Sequence, residues 1–223
     1  MNKSDVRDAL VQAGIIPGIR VMSSAHARFA AEAVNSGGIP VAEITMTVPG
    51  AVEVIADLAR SHPEMIVGAG TVLDAETAGR AADAGARFLT SPGLVLEVVE
   101  FAIKNDVVVF PGALTPTDVI TAWKAGADFV KIFPCGPVGG HHYIRALKAP
   151  LPQVPLIASG GVNLQTAGNF ILAGAAALGI GADLIPPEAI RLRQETRIHE
   201  LARRFLNMVK EARAEEAHGS ILR

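Results

Sequence analysis

The sequence predicts an α/β protein, a (β/α)8 barrel with one extra helix at its start. Three observations point there. Eight short apolar runs recur along the chain, seven of them followed by a helix-sized segment before the next run. The runs are continuously apolar rather than alternating, as suits a parallel sheet covered by helices. No linker-like break in composition divides residues 1–223, so the chain reads as a single domain. A doubly wound sheet is the alternative; eight repeats in 223 residues favour the closed barrel.

In chain order, Ser4 to Ala13 is the extra helix, expected to close the bottom of the barrel. The strand runs are PGIRV (17–21), VAEITM (41–46), MIVGAG (65–70), RFLT (87–90), VVVFPG (107–112), DFVKIF (128–133), PLIASG (155–160) and AAALGIG (175–181). Between the earlier runs lie segments with apolar residues three and four apart, such as AVEVIADLARS and GLVLEVVEFAIKN. Four end in Ser36-Gly37, Ala84-Gly85, Ala125-Gly126 or Ala173-Gly174, where glycine supplies a left-handed helix terminus at little cost. Thr115-Pro116 reads as an N-cap followed by proline in the first turn. Glu188 to about Glu216 reads mostly as one amphipathic helix.

Composition narrows the function. With 50% hydrophobic residues, 19% charged and net charge -2, the chain is not disordered and shows no electrostatic footprint for nucleic acid or anionic membrane. Cys135 stands alone, which excludes a disulfide framework or a thiolate zinc cluster. The opening MNKSDVRDAL carries acids and no apolar signal segment. The most apolar stretch, Phe170 to Pro187, is interrupted by Gly174, Gly179, Gly181 and Asp183. A soluble cytoplasmic protein is expected.

Barrels place their chemistry at the carboxyl ends of the strands. Those ends offer one guanidinium (Arg20), one carboxylate with hydroxyls (Glu43, Thr45, Thr47), Thr71 after GAG, Ser91-Pro92-Gly93, one amine with an aromatic (Lys131, Phe133), and glycine turns at Ser159-Gly160-Gly161 and Gly181-Ala182. No histidine and no cluster of acids stands among them, so the reading calls for no metal and no cofactor.

Lys131 is the unusual residue, flanked by Phe129, Val130, Ile132 and Phe133. Lysines at strand ends often snorkel to water over an apolar stem. An amine desolvated in such company instead becomes a nucleophile for carbonyl carbon. Glu43, also within a buried-looking strand, is its natural partner. The pair suits iminium formation, proton transfer and carbon–carbon cleavage. The glycine turns at the last two strand ends serve either as ordinary tight turns or as backbone donors to a phosphate.

The motifs AEIT (42–45), VGAGTVLDAE (67–76), SPG (91–93), FPGALTPT (110–117), VKIFP (130–134) and SGGVN (159–163) resemble the family of 2-keto-3-deoxy-6-phosphogluconate (KDPG) and 4-hydroxy-2-oxoglutarate (KHG) aldolases, roughly from Ile16 to Pro186. The resemblance implies a homotrimeric barrel with a metal-independent class I lyase mechanism. Its substrate would be a small 2-keto acid, phosphorylated in the KDPG case and cleaved to pyruvate and glyceraldehyde 3-phosphate in the Entner-Doudoroff pathway; KHG would give glyoxylate. It implies Lys131 as Schiff-base lysine and Glu43 as proton shuttle. Thr71 would lie at the substrate carboxylate, Pro92 and Phe133 around the pyruvyl unit, and Ser159, Gly160, Gly161, Gly181 and Ala182 at the phosphate.

The chain departs from that pattern at Thr47, where some members carry an arginine; Arg20 is expected to reach the same carboxylate, with Thr47 beside it. It departs again at Ala182, where a serine is common, which thins the phosphate site by one hydroxyl. His141 and His142 are read as helix-start residues near the mouth. Three alternatives stay open: the 6-phosphogalactonate analogue or another 2-keto acid as substrate, an isomerase or decarboxylase using lysine as an acid, and a non-catalytic oligomeric scaffold.

Overall fold

A computed structural model describes residues 1–221. Nine strands form one parallel sheet: β1 (Ile15–Ile19), β2 (Val41–Thr45), β3 (Ile66–Gly70), β4 (Phe88–Thr90), β5 (Val108–Phe110), β6 (Gly112–Ala113), β7 (Val130–Ile132), β8 (Leu156–Ser159) and β9 (Ala175–Ile180). Their spatial order is β5-β4-β3-β2-β1-β9-β8-β7-β6, and every paired neighbour is parallel. The two ends of that list, β5 and β6, are halves of one barrel strand interrupted at Pro111. The backbone N–H groups of Asp128 and Lys131 donate to Val109 O at 2.9 Å and Pro111 O at 3.0 Å, so β7 closes the circuit. Eight barrel strands result, and the doubly wound alternative is set aside.

The helices are α1 (Lys3–Ala13), α2 (Ser24–Ser36), α3 (Ala51–Ser61), α4 (Ala75–Asp83), α5 (Leu96–Lys104), α6 (Pro116–Lys124), α7 (His141–Lys148), α8 (Ala167–Leu172), α9 (Pro187–Arg191) and α10 (Glu195–Ile221). Helix α1 begins with a capping box, in which Asn2 accepts from the Asp5 N–H and Asp5 accepts from the Asn2 N–H. It buries Val6 and Leu10 and sends Lys3 and Arg7 to Asp128, at 3.0 Å and 3.6 Å. Asp128 stands just before β7 and also accepts from Val109 N. These bonds fix α1 across the amino end of the barrel, as expected, and leave the carboxyl rim open.

Inside the barrel Phe88 stacks on Phe110 at 5.2 Å, and Phe110 meets Phe129 edge-on at 6.2 Å. Gly68 makes room for them, since a Cβ there would fall 2.3 Å from the Phe88 ring. The Thr115–Pro116 start of α6 forms as predicted, with a reciprocal capping box to Asp118.

Three expectations need correction. The first strand begins at Ile15 and ends at Ile19, not at 17–21, because Gly14 terminates α1 in the left-handed conformation and the chain enters the sheet at once. At the end of α2 the left-handed glycine is Gly38, not Gly37. Gly37 is there for space, as its Cβ would lie 2.8 Å from Ala202 of α10. The segment from Glu188 to Glu216 is two helices, α9 and α10, separated at a residue of positive φ, Arg193.

Candidate active site

The carboxyl rim surrounds a cleft of about 940 Å³. Lys131 lies within β7 and Glu43 within β2, on opposite arcs of the barrel, and both side chains turn inward. Lys131 Nζ stands 3.6 Å from Glu43 Oε1, with the side chains 11% and 6% exposed. The amine also lies 5.7 Å from the centre of the Phe133 ring. Glycines create the space. A Cβ on Gly70 would fall 2.1 Å from Glu43 Oε1, and one on Gly112 would fall 2.1 Å from Pro92 O. Glycine at 112 thus lets the Ser91–Gly93 turn lean over the rim, where Gly112 N donates to Gly93 O at 3.2 Å.

Beside this pair, Arg20 leaves the end of β1 and spans the rim. It donates to Thr71 Oγ1 at 3.2 Å and to Thr47 Oγ1 at 3.4 Å. Thr71 follows β3 with φ of 59°, a conformation rare for a β-branched residue and costing about 1–3 kcal/mol. Thr45 and Thr47 share a 2.8 Å hydrogen bond, and Thr45 donates to Ile19 O at 3.1 Å.

The glycine turn after β8 adopts positive φ at Gly160 (79°) and Gly161 (96°). A side chain at 161 would strike Gly136, its Cβ 2.7 Å from that Cα. The carbonyls of Ser159 and Gly160 accept from Cys135 N (2.9 Å) and Gly136 N (2.7 Å), which fastens this turn to the end of β7. The Cys135 thiol adds a bond to Gly160 O at 3.1 Å, and burial pushes it up to about 11.

The cleft brings together Arg20, Glu43, Thr71, Pro92, Lys131 and Phe133. Ser159, Gly160, Gly161, Gly181 and Ala182 line it as well. Thr47 is not part of the lining, although Thr45 is. Reading strand ends alone missed Met22, His26, Asp183, Ile190 and Arg191, which also face the cleft. Met22 sits in the loop between β1 and α2, His26 on the first turn of α2, Asp183 in the loop after β9, and Ile190 and Arg191 on the short helix α9; the helical start at Ser23 was the available signal for His26. His141 and His142 are outside the lining and begin α7, their rings 4.1 Å apart. Burial, then the charges of His142 and Arg145, hold His141 below the usual imidazole range. Among the described residues no three His, Cys, Asp or Glu side chains are grouped to hold a metal ion, and no helix is long and apolar enough to cross a membrane.

A parallel barrel with a buried lysine and carboxylate paired at its carboxyl rim defines the class, a barrel aldolase. The family pattern of KDPG and KHG aldolases matches residues 6–201. An Escherichia coli K12 KHG/KDPG aldolase is 30% identical over 208 residues, covering 93% of this chain and 98% of that one. A Legionella pneumophila KDPG aldolase, solved with pyruvate captured at low pH as a covalent carbinolamine, superposes with TM-score 0.82 at 29% identity, covering 91% of this chain and 97% of that one. A cube-shaped porous cage designed by fusing symmetric oligomeric domains gives TM-score 0.85 at 29% identity, over 94% of this chain and 76% of the cage chain. The chain belongs to the KDPG and KHG aldolase family.

Proposed function

We propose that this chain is a class I aldolase that cleaves KDPG to pyruvate and glyceraldehyde 3-phosphate, working as one domain in the cytoplasm. The observation that carries the reading is the Lys131–Glu43 pair at 3.6 Å inside the rim cleft. The uncharged amine of Lys131 adds to the C2 ketone, and Glu43 supplies the proton with which the carbinolamine loses water, leaving an iminium that draws electrons from C3 and a Glu43 carboxylate ready to act as base. Glu43, directly or through a water, takes the proton of the C4 hydroxyl. The C3–C4 bond breaks, its electrons pass into the enamine, and the aldehyde leaves. Protonation at C3 and hydrolysis release pyruvate and restore the amine.

Arg20 and Thr71 hold the C1 carboxylate beside this path, and Pro92 and Phe133 pack the pyruvyl unit. The Gly160-Gly161 turn and Gly181-Ala182 receive the phosphate through backbone N–H groups. Ala182 and the neighbouring Asp183 favour a second substrate, KHG, because the first offers no hydroxyl and the second brings a carboxylate to the cleft. Self-association is supported by the likeness to a cage designed from symmetric oligomeric domains and by the exposed Leu73, Leu96, Ile103 and Ile120 side chains, and a homotrimer is the form proposed for it.

A coupled assay for pyruvate release, run on KDPG, its galactonate epimer and KHG, tests the reading. Turnover of KDPG above the other two supports it, preference for KHG moves the assignment to the second substrate, and turnover of none removes it.

A further inference from the structure

Two threonines touch Arg20, and their protons differ. Each accepts a hydrogen bond from the guanidinium, which has donors and no acceptor. Thr45 donates its only proton to the carbonyl of Ile19, since a carbonyl can only accept. The 2.8 Å bond between Thr45 and Thr47 must therefore be donated by Thr47. One direction runs through the whole chain, from Arg20 to Thr47 to Thr45 to Ile19 O. Thr47 has spent its proton and has none for a bound anion. Thr71 accepts from Arg20 in the same way, yet no acceptor holds its proton among the described residues. The cleft lining repeats the distinction, including Thr71 and Arg20 and leaving out Thr47.

We infer that Thr47 is a positioning residue that acts on the substrate carboxylate only through Arg20, whereas Thr71 can donate to that carboxylate itself. The inference rests on the aldolase reading above. Arg20 is exposed and its side chain is long, so a guanidinium without tethers samples many rotamers. The Thr47 oxygen, oriented by Thr45 and the buried Ile19 carbonyl, restricts that freedom from one side and Thr71 from the other. The order is cooperative, because a hydroxyl that donates becomes a better acceptor.

The test measures borohydride trapping of the full-length protein against pyruvate concentration. The half-saturating concentration reports anion binding, and the plateau rate reports the lysine chemistry. T47V should raise the half-saturating concentration roughly 3- to 10-fold, the weight of about one neutral hydrogen bond, with the plateau rate kept; T47S should restore it. In an R20A background T47V should add nothing, while T71V should weaken binding further. Equal effects of T47V with and without Arg20 would overturn the inference by making Thr47 a direct ligand. A T47V protein that binds like wild type would overturn it too. Failure of the wild type to be trapped at all is a separate result, which removes the aldolase reading itself.

Discussion

Glu43 Oε1 occupies the position that a Cβ on Gly70 would need, 2.1 Å away, and from there it faces Lys131 Nζ at 3.6 Å. The two reactive groups sit on strands 88 residues apart in sequence (131 − 43). They meet because the residue at the end of β3 has no side chain. Gly70 has no positive φ, so its role is space rather than backbone conformation.

Replacing Gly70 with Ala is therefore expected to displace Glu43 without unfolding the barrel. Turnover should fall by orders of magnitude while circular dichroism is unchanged. In an E43A background, where the obstructing carboxylate is gone, G70A should cost little more. A fully active G70A enzyme would show that Glu43 works equally well from another position.

Lys131 is expected to carry the covalent adduct. After pyruvate and borohydride, peptide mapping by mass spectrometry should place the added mass on Lys131. Labelling of Lys104, Lys124 or Lys148 in its place would end the proposed mechanism.

Glu43→Gln is expected to lower turnover by roughly 10²–10⁴-fold, the range of a lost general acid–base group, while pyruvate trapping remains detectable. EDTA should leave the wild-type rate unchanged. Activity lost to the chelator and restored by a divalent ion would transfer the enzyme to a different mechanistic class.

Arg20→Ala should weaken pyruvate binding by about 1.5–3 kcal/mol, the cost of one charge-assisted hydrogen bond. An arginine supplied at position 47 in that background (R20A/T47R) should recover part of the loss. Unchanged pyruvate affinity in R20A would place Arg20 outside the carboxylate site.

Cys135 should resist thiol reagents in the native state at neutral pH and react once the protein is unfolded, because burial raises it to about 11 from an ordinary value of 9.0. Its sign as a stability effect is fixed. Between those two values the unfolded thiol has lost its proton and the folded one has kept it, so unfolding releases a proton. This group's contribution is complete below pH 9 and declines as pH rises toward 11. Comparing wild type with C135A by urea unfolding across pH 8 to about 11 isolates it; parallel curves would contradict the assignment.

The barrel was legible in the sequence because its causes are local and repeated. Continuous apolar runs specify buried parallel strands, and glycines after Ala84, Ala125 and Ala173 supply the left-handed helix ends, with φ of 103°, 95° and 96° at Gly85, Gly126 and Gly174. Lys131 and Glu43 stood out for the same reason: a charged group inside an apolar strand needs an explanation wherever it occurs. Where one glycine followed another, at Gly37-Gly38, local pattern did not say which was required. The answer lay in the approach of α10, more than 150 residues later.

The site's finer roles belong to the tertiary structure alone. Thr47 and Thr71 are both rim threonines, and although their motifs differ, nothing near either in the sequence says which hydroxyl keeps a proton to give. Folding brings Ile19, 26 residues before Thr45, to accept its proton, which commits the Thr47 proton in turn. It also sets His26, Asp183 and Arg191 around a cleft that the strand ends alone did not enclose. A sequence states which groups exist; the direction of a hydrogen bond depends on which donor and acceptor meet, and only the closed barrel decides that.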